Sequence, residues 1–182
     1  EKTYPGWAPG GKRVVIPYGL SEDFCSAMPS EEVPAPRAVF TSNPLRSLDW
    51  LIDLWVDQIR PQVPMAELHL FAGASTYGSA GAAKEQAMET VLRKAKGLTK
   101  HGIVIRGPVS KTQLIKEFHS ARCMLYRGDI NETFCLAVGE AQAMGVPAVV
   151  KRYGSVIERV LDGQTGFIAG DDSVFAEAAI KL

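Results

Sequence analysis

The sequence predicts an α/β chain, a doubly wound parallel sheet of about six strands with helices on both faces. Three observations carry that prediction. Short apolar runs alternate with stretches of helical hydrophobic period. Most of the runs are continuously apolar, as strands covered on both faces require. Glycine and proline punctuate the alternation at the ends of the helical stretches.

Taken in order, residues 1–12 hold Pro5, Gly6, Pro9, Gly10 and Gly11, a loop composition. Residues 13–17, from Arg13 to Pro17, read as a short strand. Pro29, Pro34 and Pro36 make 29–36 a proline-rich linker. The expected division is a lead-in segment and linker over 1–36 and a regular α/β domain over 37–182. The expected strands are Ala38–Thr41, Leu68–Gly73, Ile103–Arg106, Cys123–Tyr126, Ala148–Val150 and Phe167–Ala169. Leu48, Leu51, Ile52, Trp55 and Ile59 mark the first helix, with Asp49, Asp53 and Asp57 on its solvated side. Ala87, Met88, Val91, Leu92 and Ala95 mark a helix within 80–97, and Leu114, Ile115 and Phe118 a third. A fourth covers about 135–144, stopped by Gly145 and Pro147. A fifth covers 155–162, stopped by Gly163. The last segment ends inside a helical pattern and the first residue is not Met, so the expectation is a domain truncated at its C-terminus within a longer chain.

Composition narrows the function. The 182 residues carry 20 basic and 20 acidic side chains, which gives no basic field for nucleic acid or an anionic membrane. No apolar run approaches the roughly 18–20 residues that span a bilayer, and no signal peptide is expected. Cys25, Cys123 and Cys135 are odd in number and lack metal-ligand spacing, so a cytoplasmic protein without disulfide or metal site is expected.

Ligands of open α/β sheets sit beyond the carboxyl ends of the strands. That selects Ser42–Ser47, Gly73–Gly81, Arg106–Ser110, Arg127–Cys135 and Lys151–Ser155. The most informative stretch is Asn131–Gly145, NETFCLAVGEAQAMG. Glu132 falls in a loop after a strand, and Glu140 falls inside the next helix. Each carboxylate can accept two hydrogen bonds and so clamp the vicinal hydroxyls of a ribose or pyranose. Helix-start amides near Phe134 and Cys135 would attract a phosphate between them. The plainer alternative makes Glu132 a helix-start charge and Glu140 a solvated residue. The small neighbours Gly139, Ala141 and Ala143 would let a ligand or another backbone come close to Glu140.

Other features have simple structural readings. Gly73, Gly78 and Gly81 read as a flexible surface loop, since their spacing is not that of a phosphate-binding loop. His69, His101 and His119 are isolated and read as packing or surface residues. Trp50 and Trp55 read as packing, while Tyr4 and Trp7 could touch a further domain. Cys135 at a helix start is a candidate for a lowered thiol pKa, with no base beside it. The chain contains no D-x-D.

Glu132 and Glu140 with seven residues between them, followed by Ala141, Ala143, Gly145 and Pro147, resemble the E-x7-E signature of retaining GT-B glycosyltransferases, within them the group 1 family, glycosyltransferase family 4. Gly107 matches a glycine that family carries after a strand. Tyr153–Glu158 is similar to its G-G-x-P-E segment, Asp162–Phe167 to its D-G-x-T-G ending, and Ile16–Leu20 to its P-N-G-V segment. The resemblance implies one Rossmann-like half of a GT-B fold, the half that binds a nucleoside-diphosphate sugar, with the N-terminal acceptor domain missing. It implies that Glu140 binds the donor ribose. Glu132 would contact the transferred sugar, and Thr133, Phe134 and Cys135 would face the sugar and diphosphate. Arg46 matches the family's Lys approximately, and Asn43 stands where an Arg is usual. Arg106 and Gly107 would lie near the base, and Gly154 belongs to the donor segment. Lys151 and Arg152 are further cations for the diphosphate. Thr133 and Cys135 replace both glycines of the usual E-G-F-G loop, and Tyr18 replaces the Asn of P-N-G-V.

The function expected is sugar transfer with retention, from a nucleoside-diphosphate donor to an unknown acceptor, without metal or cofactor. This piece alone would bind donor but not turn over. The alternatives are an epimerase-like GT-B enzyme and a non-catalytic nucleotide-binding module.

Overall fold

The computed structural model describes residues 11, 12, 14, 16 and 18–182. Tyr4, Trp7 and three residues of the expected strand at 13–17 lie outside them; Val14 and Ile16 belong to no strand.

Six strands form one parallel sheet: β1 (Arg37–Phe40), β2 (Glu67–Leu70), β3 (Ile103–Ile105), β4 (Cys123–Leu125), β5 (Ala148–Lys151) and β6 (Gly166–Ala169), in the order β3-β2-β1-β4-β5-β6. All six strands expected from the apolar runs are present. Val39, Leu68, Leu70, Met124, Leu125, Val149 and Val150 are fully buried, which explains why these strands show no alternation.

The helices are α1 (Glu22–Ser26), α2 (Leu48–Leu54), α3 (Gly78–Ala82), α4 (Glu85–Lys96), α5 (Lys111–His119), α6 (Leu136–Ala143) and α7 (Asp172–Lys181). The chain steps outward from β1 to β3 and then returns past β1 to β4. Right-handed crossovers therefore put α2 and α4 on one face and α5 and α6 on the other. α2 runs on into one π-helical turn, Trp55–Ile59, closed by the Arg60 N–H on the Trp55 carbonyl at 2.8 Å. α7 packs on that turn. The Asp49 and Asp53 carboxylates both hold Lys94 of α4.

The lead-in segment carries a helix the sequence does not announce, α1, which packs on α5 and α6 through Phe24, buried against Phe118. Two expectations are corrected. The stretch at 155–162 is a 3-10 helix over Gly154–Arg159 that returns to extended backbone at Val160. The glycines after β2 are not a loose surface loop. Gly73 precedes a 3-10 turn (Ala74–Tyr77), Gly78 and Gly81 lie in α3, and a methyl group on Gly81 would stand 2.0 Å from the Ala74 carbonyl oxygen.

The Asp162–Phe167 motif is a turn that feeds β6. The Asp162 carboxylate accepts the Ile168 N–H at 2.9 Å, and the Thr165 hydroxyl accepts the Leu161 N–H at 2.9 Å. Gly139 does admit a close neighbour, but it is Leu20 of the lead-in segment, 3.2 Å from where a methyl group would stand.

His69 in β2 is buried, and its Nε2 bonds the Glu67 carboxylate at 2.8 Å. Burial holds its pKa below the ordinary 6.5, although Glu67 opposes that shift. The hydrogen bond from His69 in turn holds the Glu67 carboxyl below its ordinary range. Below about pH 6.5 the unfolded chain takes up a proton that the folded chain refuses, so stability falls with acidification. Urea unfolding between about pH 5 and pH 7 should give a free energy that rises with pH. His69→Gln should flatten that slope; an unchanged slope would remove His69 from the account.

Candidate functional site

The crossovers diverge on either side of β1, so the switch point lies between β1 and β4. A cleft of about 400 Å³ opens there, at the carboxyl ends of the two strands. The loop after β1 gives Thr41, Ser42, Asn43 and Arg46, and the turn after β2 gives Thr76 and Tyr77. Lys111 enters from the start of α5. The loop after β4 and α6 give residues 132–137 and Glu140, and Tyr18 closes one side. A smaller cavity of about 210 Å³ lies at the opposite end of β1 and β4, and no Asp or Glu lines it.

Glu132 is buried at the back of the cleft and gathers three donors. One oxygen accepts the Arg46 guanidinium and the Tyr126 hydroxyl, the latter at 2.8 Å. The other accepts the Cys135 backbone N–H at 3.2 Å. Burial disfavours the Arg46 charge, but Glu132 and Tyr126 more than offset it and hold the guanidinium above its ordinary range. Burial also pushes the Tyr126 phenol up, with Cys135 and Glu132 adding to the shift. Tyr126 therefore stays a donor at any ordinary pH.

Glu140 is buried on α6 and pairs through one oxygen with the Lys111 ammonium. The two carboxylate side chains are each 7% exposed, while Arg46 and Lys111 are 38% and 50% exposed. The anions thus line the wall, and the cations face the space a ligand would fill.

The remaining expected residues fall into two groups. Asn43, Thr133, Phe134 and Cys135 line the cleft with Glu132, Glu140 and Arg46. Asn43 closes a turn by accepting the Leu45 N–H at 2.9 Å. The Phe134 ring lies 5.8 Å from the Tyr18 ring and 4.3 Å from the Arg159 guanidinium, so it is held on two sides. Arg106, Gly107 and Gly154 do not line the cleft. Arg106 instead donates to the buried Glu117 at 3.1 Å. Gly107 has open space around it. Gly154 packs on the loop itself, where a methyl group would meet the Asp129 and Glu132 carbonyl oxygens at 2.3 and 2.8 Å. Lys151 is also elsewhere, bonded to Asp172 at 2.5 Å.

Two of the helices that start beside the cleft begin at a left-handed residue that is not glycine, Ser47 (φ 67°) for α2 and Cys135 (φ 61°) for α6. Such a backbone costs about 1 kcal/mol or more for a residue with a side chain. A glycine at position 135 would fit this backbone without strain. The thiol is not acidic: burial pushes Cys135 up to about 12.

Ser42 and Tyr77 fall in loops that the sequence selects but without a role of their own, and Thr41, Tyr126 and Lys111 fall outside those loops. Position at the end of an expected strand is the available signal for Thr41 and Tyr126. Lys111 directly follows the selected loop, and its helix start is fixed by Ser110, whose hydroxyl accepts the Gln113 N–H at 3.2 Å. Among the described residues no three His, Cys, Asp or Glu side chains converge to hold a metal ion, and no helix is long and apolar enough to cross a membrane.

Comparison with known proteins places this geometry. The family described as "Glycosyl transferases group 1" matches residues 35–182. The lipopolysaccharide 1,2-N-acetylglucosaminetransferase of Salmonella typhimurium is 28% identical over 102 residues, 56% of this chain and 26% of its own length. The sucrose-phosphate synthase of Thermosynechococcus elongatus superposes with a TM-score of 0.64 at 17% identity, over 82% of this chain and 36% of that one. Anabaena HepE, solved in complex with UDP and glucose, gives 0.60 at 18% identity, over 80% and 38%. The chain therefore spans between a quarter and two fifths of these relatives, and the structural likeness is one of fold.

Two substitutions test how the loop is held. Tyr126→Phe leaves a buried carboxylate one donor short and should lower the unfolding free energy by about 1.5–3 kcal/mol. Gly154→Ala should destabilise by about 2 kcal/mol or more, because the contacts it violates are backbone and the φ of 57° is left-handed. Denaturant unfolding checks both; wild-type stability in either would mean the loop is not built around Glu132.

Proposed function

The chain belongs to the group 1 glycosyl transferases, and on that premise we propose that its cleft takes a nucleoside-diphosphate sugar. In this reading the chain is the donor-binding half of a retaining GT-B enzyme of glycosyltransferase family 4. It passes the sugar to an acceptor held by an N-terminal domain outside this sequence. The observation that carries the proposal is the pairing of buried carboxylates with exposed cations at the switch point of the sheet.

Each group has a task. Glu140 accepts the ribose hydroxyls through the oxygen that Lys111 leaves open. The diphosphate gains negative charge as the bond to the sugar breaks. Arg46 and the amides at the start of α6 stabilise it there. Thr133, Phe134 and Cys135 border the sugar, with Thr133 and Cys135 adding side chains where the related loop carries glycines. Glu132 stands at the sugar end. Asn43 holds the turn that carries Arg46. Arg106 and Gly107 lie outside the cleft wall, at the side where the base would extend. No step assigned here uses a metal or cofactor, and the chain without its acceptor half would bind donor and not turn over.

A second reading is a nucleotide-binding module without transfer activity. The engagement of Glu132 by Arg46, Tyr126 and the Cys135 amide favours it, since three of the four acceptor positions are taken. A transferase would instead use the remaining position for a sugar hydroxyl.

Calorimetric titration with UDP, GDP and ADP, each with and without an attached hexose, tests the proposal. One nucleotide should bind, and Glu140→Ala should weaken it by about 1.5–3 kcal/mol. Glu132→Ala should erase the difference between the nucleotide sugar and the bare diphosphate. If only Glu140→Ala has an effect, the module reading is preferred; if neither does, both carboxylates are structural and the proposal fails.

A further inference from the structure

The pair formed by Glu140 and Lys111 goes beyond a donor cleft in general terms. Glu140 is the fifth residue of α6, past the first turn where a helix N-terminus steadies a carboxylate. Its side chain is nonetheless buried. Charged or titratable groups stand on the elements around α6: Glu22, Asp23 and Cys25 on α1, Lys151 at the end of β5, Glu158 and Arg159 on the 3-10 helix. Across the cleft are Arg46, Glu132, Tyr77 and Tyr18, with Cys135 at the head of α6. Among the described residues only Lys111 bonds the Glu140 carboxylate.

Lys111 is itself placed by packing. Ser110 caps α5 and fixes its first residue over the cleft. The ammonium also lies 5.4 Å from the centroid of the Phe24 ring, so α1 braces it through a cation–π contact. α1 thereby has a task at the cleft as well as in the core.

We infer that Lys111 is a positioning residue, one that holds one oxygen of the Glu140 carboxylate and keeps it turned so that its second oxygen meets the ligand's hydroxyls. The inference rests on the donor-cleft reading. A buried carboxyl group that loses its only cation avoids desolvation by taking a proton. It then offers a donor where two hydroxyls require acceptors. Removing Lys111 should therefore change how binding depends on pH, which loss of a merely supportive surface charge would not do.

The test is calorimetric titration of the protein with UDP-glucose, GDP-glucose and ADP-glucose. The diphosphate of a nucleotide sugar does not titrate near neutrality, so the profile reports the protein. The wild type should bind one of them with affinity varying less than about threefold between about pH 6 and about pH 8.5. Lys111→Met should bind about tenfold more weakly at the lower pH and recover toward the wild type at the higher one. Lys111→Arg, which keeps the charge, should restore the flat profile. Equal weakening at every pH would overturn the inference, because Lys111 would then act on the phosphates. A profile parallel to and as tight as the wild type would overturn it as well. So would tighter binding, which would make Lys111 a competitor for Glu140. In these cases a loss of binding in Glu140→Gln keeps the donor-cleft reading intact. Absence of binding by the wild type to all three would instead sink that reading, and the inference with it.

Discussion

Burying the Glu132 carboxylate costs several kcal/mol unless its oxygens find donors, and the loop around it is shaped by that requirement. Tyr126 supplies one donor from the end of β4, and its own burial locks the phenol in the donating form. Arg46 supplies the charge from the loop after β1. The Cys135 amide supplies the third, and to point at Glu132 it takes a left-handed backbone that a residue with a side chain adopts only under strain. Gly154 then closes on the loop from behind, and the Ser155 N–H bonds the Glu132 carbonyl at 3.0 Å. Three donors thus meet at one acidic side chain, and a fourth segment closes on its backbone.

The same logic explains why the cleft lies where it does. Strands that are apolar on both faces leave polar residues only at their ends. The carboxyl ends of β1 and β4 are parted by diverging crossovers, so those polar ends face a gap instead of a neighbouring helix. Ser47 and Cys135 mark where the chain turns from strand to helix on its two sides. Phe134 does not collapse into the gap because Tyr18 and Arg159 grip its ring.

The sheet was legible in the sequence because burial on both faces writes unbroken apolar runs such as Cys123–Leu125 and Ala148–Val150. The long helices were legible from their period. α1 was not, since five residues show no period and Phe24 has meaning only against Phe118. The 3-10 helix at Gly154–Arg159 was read as an α-helix because composition distinguishes the two poorly over so short a span. At the site, Glu132 and Glu140 could be picked out because a single loop and helix carry both. Their pairings could not: Arg46, itself picked out through the family resemblance, lies 86 residues from Glu132, and Lys111 lies 29 from Glu140. Pairing at such separations leaves no local pattern. Arg106 and Gly154 show the converse, motif positions whose contacts here are with Glu117 and with the backbone at Glu132.

The central claim is that the Glu132–Glu140 cleft holds a nucleotide sugar. A crystal structure of the protein grown with the nucleotide sugar that it binds tests this most directly. The account predicts ligand density along the cleft, with the ribose hydroxyls on Glu140, the diphosphate beside Arg46 and the start of α6, and the sugar toward Glu132. A ligand seated elsewhere, or a cleft in which Glu140 touches no hydroxyl, would contradict it.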